Sequence, residues 1–176
     1  MARTADQLIG SVRYGGRIGS TGAFLVYGRG SRSATVDLPD GSDATEDWKL
    51  GMGGFRADWT APRHTFTLQA DLYSARGRDT YRLVTQDPPH TGTLDLEAVA
   101  HGLNVLGRWS GRVGTAADFI VQGYFDQAVR TQTDFYGHVA VNTADLDVQY
   151  HMPVGERNDV IAVLGYRRVS DVVTGS

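Results

Sequence analysis

Apolar and polar residues alternate one by one over long stretches of this chain. From Asp145 to Met152 the apolar set is Leu146, Val148, Tyr150 and Met152, interleaved with Asp145, Asp147, Gln149 and His151. Successive side chains of an extended strand point to opposite faces, so a period of two predicts a strand with one apolar and one polar side. The same alternation runs from Thr65 to Tyr73, where Phe66, Leu68, Ala70 and Leu72 oppose Thr65, Thr67, Gln69, Asp71 and Tyr73. Between Asp118 and Asp126 the apolar positions are Phe119, Val121, Gly123 and Phe125; between Asp159 and Arg167 they are Val160, Ala162, Leu164 and Tyr166. Ile161 and Val163 weaken the polar side of that last segment.

The connections sort into two kinds. Glycine or proline marks tight turns at about Gly19 to Gly22, Ala61 to Arg63, Ser110 to Thr115 and Val154 to Asn158. Longer polar stretches lie between them, at about Ser31 to Asp47, Ala75 to Leu96 and Ala128 to Thr133. Short and long links therefore alternate, which predicts an antiparallel up-and-down meander of about eight strands of roughly ten residues each. Two-faced strands joined in this way are expected in the wall of an outer-membrane β-barrel, with lipid on one side and a wet lumen on the other. Tyr14, Trp59, Trp109 and Tyr150 each precede a tight turn, where a membrane-interface aromatic belt is expected. A soluble β-sandwich or lipocalin-like barrel also alternates. A sandwich, however, includes Greek-key crossovers and does not sort its loops by length to opposite ends.

Composition narrows the classes. A formal net charge of -3 and a pI near 5.9 leave no basic footprint for nucleic acid. The absence of cysteine removes disulfide frameworks and thiolate metal sites. With 22 glycines against 5 prolines, the chain suits turns and barrel walls better than a polyproline segment. No apolar run approaches the roughly 18 residues of a membrane helix. The mean hydropathy of -0.28 does not argue against a membrane barrel, whose lumen face and loops are polar.

Several segments, taken in order, resemble barrel strands of TonB-dependent outer-membrane receptors. They are GSVRYGG from Gly10, then GAFLVYGRG, DGSDATEDWKLGMGGFRADW, NVLGRWSGRV, ADFIVQGYFDQ, DLDVQYHMPVGERND and VLGYRR. The resemblance covers nearly the whole chain. It implies part of a ligand-gated importer of a scarce nutrient such as a ferric siderophore, in the outer membrane of a Gram-negative cell. The family's barrel has twenty-two strands, closed by a plug domain and powered through TonB. No counterpart of the plug, of a TonB-contacting segment or of a signal peptide is visible here, and the last residues carry no terminal aromatic strand. The chain therefore reads as a partial barrel domain over residues 1–176, with outer-membrane lipid as its direct partner and plug and TonB as partners of the whole receptor. The alternative is a small self-contained outer-membrane barrel with a structural or interaction role.

Catalytic chemistry is not apparent, and the expectation is a protein that is not an enzyme and carries no cofactor. Asp37, Asp40 and Asp43 in DLPDGSD miss the alternate spacing and the final glutamate of a calcium loop. Gly16, Gly19 and Gly22 recur every third residue, but between strands rather than before a helix, so turn geometry accounts for them. The histidines, His64, His90, His101, His138 and His151, are scattered without ligand spacing, and none is assigned to a metal. Asp71 and Asp126 on the polar face are expected to bond neighbouring arginines rather than to form an acid/base pair. The longest expected loop, Ala75 to Leu96, holds Arg76, Arg78, Tyr81, Arg82, Asp87 and His90. Of these, Arg76, Arg78, Tyr81, Arg82 and His90 are the candidates for gripping an anionic or metal-chelate ligand.

Overall fold

A computed structural model describes residues 7–33, 47–84, 86–88, 91–114, 116–132, 137–155 and 157–175. Eight strands contain nearly all of them: β1 (Gln7–Ile18), β2 (Gly22–Ser33), β3 (Trp48–Ala61), β4 (His64–Val84), β5 (Thr91–Val113), β6 (Ala117–Gln132), β7 (Gly137–Val154) and β8 (Asn158–Thr174). Each pairs antiparallel with its chain neighbours, giving one sheet in the order β1 to β8 with no crossover. The all-β meander expected from the alternation is the observed fold.

Glycine makes three of the tight turns. Gly19, Gly114 and Gly155 follow the last residues of β1, β5 and β7 with φ of 61°, 65° and 69°. That left-handed region costs a side-chain-bearing residue energy and costs glycine almost none, so the chain reverses there. At the remaining tight turn Ala61 pairs with His64 across Pro62 and Arg63. Proline pre-sets its own φ for such a turn.

The polar stretches behave differently from the expectation. Ala75 to Leu96 is strand except near its middle, because β4 runs on to Val84 and β5 begins at Thr91. Ser110 to Arg112 belong to β5, and β6 continues to Gln132. The strands span 12 to 23 residues, not a uniform ten. The physical reason is that a ladder satisfies the backbone whatever the side chains are: Arg76 lies opposite Val99 and Arg78 opposite Glu97. Polarity signals exposure, not absence of pairing. Residues 34–46, with Asp37, Asp40 and Asp43, lie outside the described residues, as does His90.

The register reveals a regular stagger. One row of directly opposed residues crosses the sheet through Gly22, Trp59, Phe66, Trp109, Val121, Val148 and Leu164. Within it Gly22 is the first residue of β2, Phe66 the third of β4, Val121 the fifth of β6 and Leu164 the seventh of β8. The turns thus slip by one residue per strand. With a rise of about 3.4 Å and a strand spacing of about 4.8 Å, that slip corresponds to a tilt of about 35°.

The sheet has almost no core. The buried hydrophobic residues among those described are Ala57, Leu96, Ala98 and Val129. Val12, Leu72 and Leu164 remain 71%, 63% and 74% exposed, with no second layer over them. Soluble domains bury such faces between two packed layers, and these strands form only one. β1 and β8 each have a single neighbour and do not pair with each other, so the sheet is open at both edges.

Candidate functional site

Distance from the tight turn is the natural coordinate for this sheet. Counted from that end of each strand, the odd-numbered residues share one face, because the register keeps odd opposite odd. From the third to the ninth residue this face holds Tyr14 and Val12 on β1, Phe24 and Val26 on β2, Trp59 and Phe55 on β3, and Phe66 to Leu72 on β4. It continues through Trp109 and Val105 on β5, Phe119 and Phe125 on β6, Tyr150 and Leu146 on β7, and Leu164 and Tyr166 on β8. The other positions in the band are alanine, valine, leucine, methionine or glycine. Across eight strands it contains no charge, no amide and no aliphatic hydroxyl.

An aromatic belt borders the band at the turn end. Tyr14, Trp59, Trp109 and Tyr150 all lie on the apolar face, third or fifth from the ends of their strands. Between them stand Phe24, Phe66 and Phe119, each the third residue after a turn. Ring centroids are 5.8 Å apart for Tyr14 and Phe24, 5.7 Å for Trp59 and Phe66, and 4.6 Å for the edge-on pair Trp109 and Phe119. The residues before the turns do not reveal these phenylalanines; their signal in the sequence is equal spacing after three of the four tight turns, Val160 holding that place after the fourth.

The opposite face is mostly polar over the same band, with Leu25, Leu106 and Ile120 as apolar exceptions and Ile161 and Val163 leaving β8 apolar on both sides. Arg56 Nε donates to Asp58 at 2.8 Å, and Thr67 Oγ1 donates to the same carboxylate at 2.6 Å. Across β7 and β8, Arg167 Nε donates to Asp145 at 2.8 Å. Nearer the turns Asp118 lies 3.4 Å from Arg112 and 3.8 Å from His151, whose Nε2 is 3.2 Å from Asp159. A shallow depression of about 430 Å³ is lined by Arg56, Thr67, Gln69, Arg108, Ser110 and Gln122. Arg13, Arg29 and Arg108 add cationic charge to this face and pair with no described carboxylate.

Asp71 and Asp126 share this face without forming a pair. Asp71 lies opposite Asn104, which lies opposite Asp126, so two strand spacings of about 4.8 Å separate them. Asp71 accepts from Gln69 at 3.0 Å, while its Oδ1 is buried without a hydrogen-bond partner. Among the described residues no arginine holds it. Among the described residues no cluster of three histidines or carboxylates is poised to hold a metal.

The expected ligand-gripping group is not assembled as a loop. Arg76 and Arg78 sit on β4, on the same face as Leu72 and beyond the apolar band. Arg76 pairs with Glu97 at 3.2 Å. Tyr81 and Arg82 also belong to β4. Neither Arg76 nor Arg78 shares the polar face with Arg108 and Asp126. No protein-family model, curated protein or solved structure matches this chain.

Proposed function

We propose that this chain is a section of the wall of an outer-membrane β-barrel, of the kind that TonB-dependent receptors use to import scarce nutrients such as ferric siderophores. The carrying observation is the apolar band. Seven residues, the third to the ninth from the turn, at about 3.4 Å each and tilted by about 35°, rise about 20 Å, which approaches the roughly 25 Å of the lipid-facing band of such barrels. Its aromatic border and the one-residue stagger support the same reading. A lone sheet with open edges suits one section of a larger wall better than a small closed barrel, because unpaired backbone groups are not tolerated against hydrocarbon. The receptor assignment rests on the ordered resemblance of the strand sequences. In that setting the polar face looks onto the lumen, where its arginine and aspartate pairs would meet water and a plug domain.

The chain contains no cysteine, so single cysteines can be placed without background. Spin labels at Phe66, Leu68, Ala70 and Leu72 in lipid vesicles should be relaxed by oxygen dissolved in the bilayer. Labels at Thr67, Gln69 and Asp71 should respond to a water-soluble nickel complex. Equal responses from the two sets would defeat the membrane reading. For the receptor assignment, the DNA on both sides of the reading frame should encode a plug domain upstream and further strand hairpins downstream. Flanking DNA without either would remove it.

A further inference from the structure

Both open edges of the sheet bring large apolar side chains onto the polar face. Ile161 and Val163 of β8 are 66% and 61% exposed there, and Ile9 of β1, on the face of Arg13 and Ser11, is 48% exposed. On the other face Leu8, Val12, Leu164 and Tyr166 are also exposed. The register says what fits against them. Across each tight turn, residues at equal distance from the turn are paired, whereas across each long connection the next strand is displaced by two: Gly22 meets Trp59, Phe66 meets Trp109 and Val121 meets Val148. Continued by the same displacement, the edge of β8 meets the β1 of a second copy with Asn158 opposite Gly16 and Arg167 opposite Gln7. Val160, Ala162, Leu164 and Tyr166 then lie opposite Tyr14, Val12, Gly10 and Leu8, apolar against apolar. Nothing stands within 4 Å of where a Cβ on Gly10 would be, which leaves room for Leu164. On the polar face Val163 falls diagonal to Ile9, and Asp159 lies opposite Gly15 with Arg13 and Arg17 on its diagonals. Diagonal neighbours are about 7 to 8 Å apart, within reach of long side chains. Within one chain Asp159 is 3.2 Å from His151, Arg17 donates to the Ser20 carbonyl at 3.2 Å, and Arg13 pairs with no described carboxylate. This register sets no like charges directly opposite each other.

We infer that the β8 edge of one copy pairs antiparallel with the β1 edge of a second copy in this displaced register. The inference rests on the barrel-wall reading above and not on the receptor assignment. Against hydrocarbon an unpaired edge leaves its N–H and C=O groups unsatisfied, and a second copy supplies their partners. The seam also explains the break in the polar face, because Ile161, Val163 and Ile9 cover one another instead of facing lumen water. Each copy offers one edge of each kind, so a head-to-tail contact of this sort closes as a ring. Two copies of the eight-stranded sheet close sixteen strands. A barrel of about eight strands fills its interior with side chains, whereas one of about sixteen holds a water-filled channel, which suits the arginines and aspartates of the polar face.

The test is disulfide cross-linking of the whole chain refolded into phosphatidylcholine vesicles, with protection from trypsin reporting insertion. Chains carrying Ala162→Cys are mixed with an equal amount carrying Val12→Cys and oxidised. A second mixture combines Val163→Cys with Ser11→Cys, the adjacent pair on the other face. Opposed residues alternate between hydrogen-bonded and closer non-hydrogen-bonded pairs, so one of the two mixtures has the shorter separation, and both lie within disulfide reach. In rings of two, random mixing places both cysteines at one seam in half of the rings, so up to about half of the chains should become covalent dimers. Ala162→Cys mixed with Leu8→Cys, displaced along the strand by about 13 Å, should give roughly tenfold fewer. A chain carrying both Ala162→Cys and Val12→Cys should give covalent dimers and nothing longer. Inserted strands without cross-links in either matched mixture would overturn the seam and leave the wall reading standing. Equal cross-linking by one variant alone would show like edges meeting, and would overturn the seam too. The double variant linked within a single chain would show a barrel closed by one copy, and a ladder beyond dimers would overturn the ring of two. Failure to insert would overturn the seam and the wall reading together.

Discussion

Replacing Leu68 by arginine places a charge at the fifth residue from the tight turn of β4, on the apolar face. The band runs from the third to the ninth residue, so its middle is the sixth, and Leu68 lies one residue, about 3 Å of height at a tilt of about 35°, from that middle. At that depth an arginine facing lipid costs about 2 to 4 kcal/mol, and near the interfaces about 0 to 1. Gln69 is the next residue along β4 and lies on the polar face. Its replacement by arginine should cost less than about 1 kcal/mol, since water already reaches that side. Leu146→Arg, at the ninth residue from its turn, should fall between the two. The assay is urea unfolding in lipid vesicles, followed by loss of trypsin protection. For a slope of about 2 kcal/mol per molar urea, Leu68→Arg should lower the midpoint by roughly 1 to 2 M and Gln69→Arg by less than about 0.5 M. All three variants leave β1 and β8 untouched, so whatever pairs those edges contributes equally. A Gln69→Arg loss as large as that of Leu68→Arg would refute the two-faced argument. Complete misfolding of Leu68→Arg would point to a packed soluble core instead.

The remaining predictions concern edges, glycines and ion pairs. The chain refolded alone in detergent should not give a monomeric, heat-modifiable, protease-resistant band, because β1 and β8 leave a row of unpaired backbone groups that each cost several kcal/mol in hydrocarbon; a monomeric band of that kind would contradict it. Gly54→Ala should destabilise by about 1 to 3 kcal/mol, since its Cβ would run into Asp71 and lie 2.7 Å from both the Ala70 carbonyl and the Tyr27 hydroxyl. Gly107→Ala, with nothing within 4 Å of the new Cβ, should change the unfolding midpoint little. Asp145→Asn should change the unfolding midpoint little, because its partner Arg167 is 63% exposed in this sheet although Asp145 itself is 16% exposed; a large loss would reveal that another structure covers the polar face.

Local alternation was sufficient to identify strands and to divide their residues between two faces. In β4 the set Phe66, Leu68, Ala70 and Leu72 was legible because strand geometry itself has a period of two. The tight turns at Gly19, Pro62 and Gly155 were legible for a similar reason: backbone freedom or restriction there belongs to single residues. Tertiary pairing decided what no single segment contains. It extended β4 and β5 through Arg76, Arg78 and Glu97, because backbone ladders form between partners regardless of side-chain polarity. It set the one-residue stagger, and through it the height of every residue. Only with those heights do Phe24, Phe66 and Phe119 join Tyr14, Trp59, Trp109 and Tyr150 in one belt. Register is a relation between strands that can be far apart in sequence, so the sequence by itself determined faces and turns, while the paired sheet decided levels, neighbours and open edges.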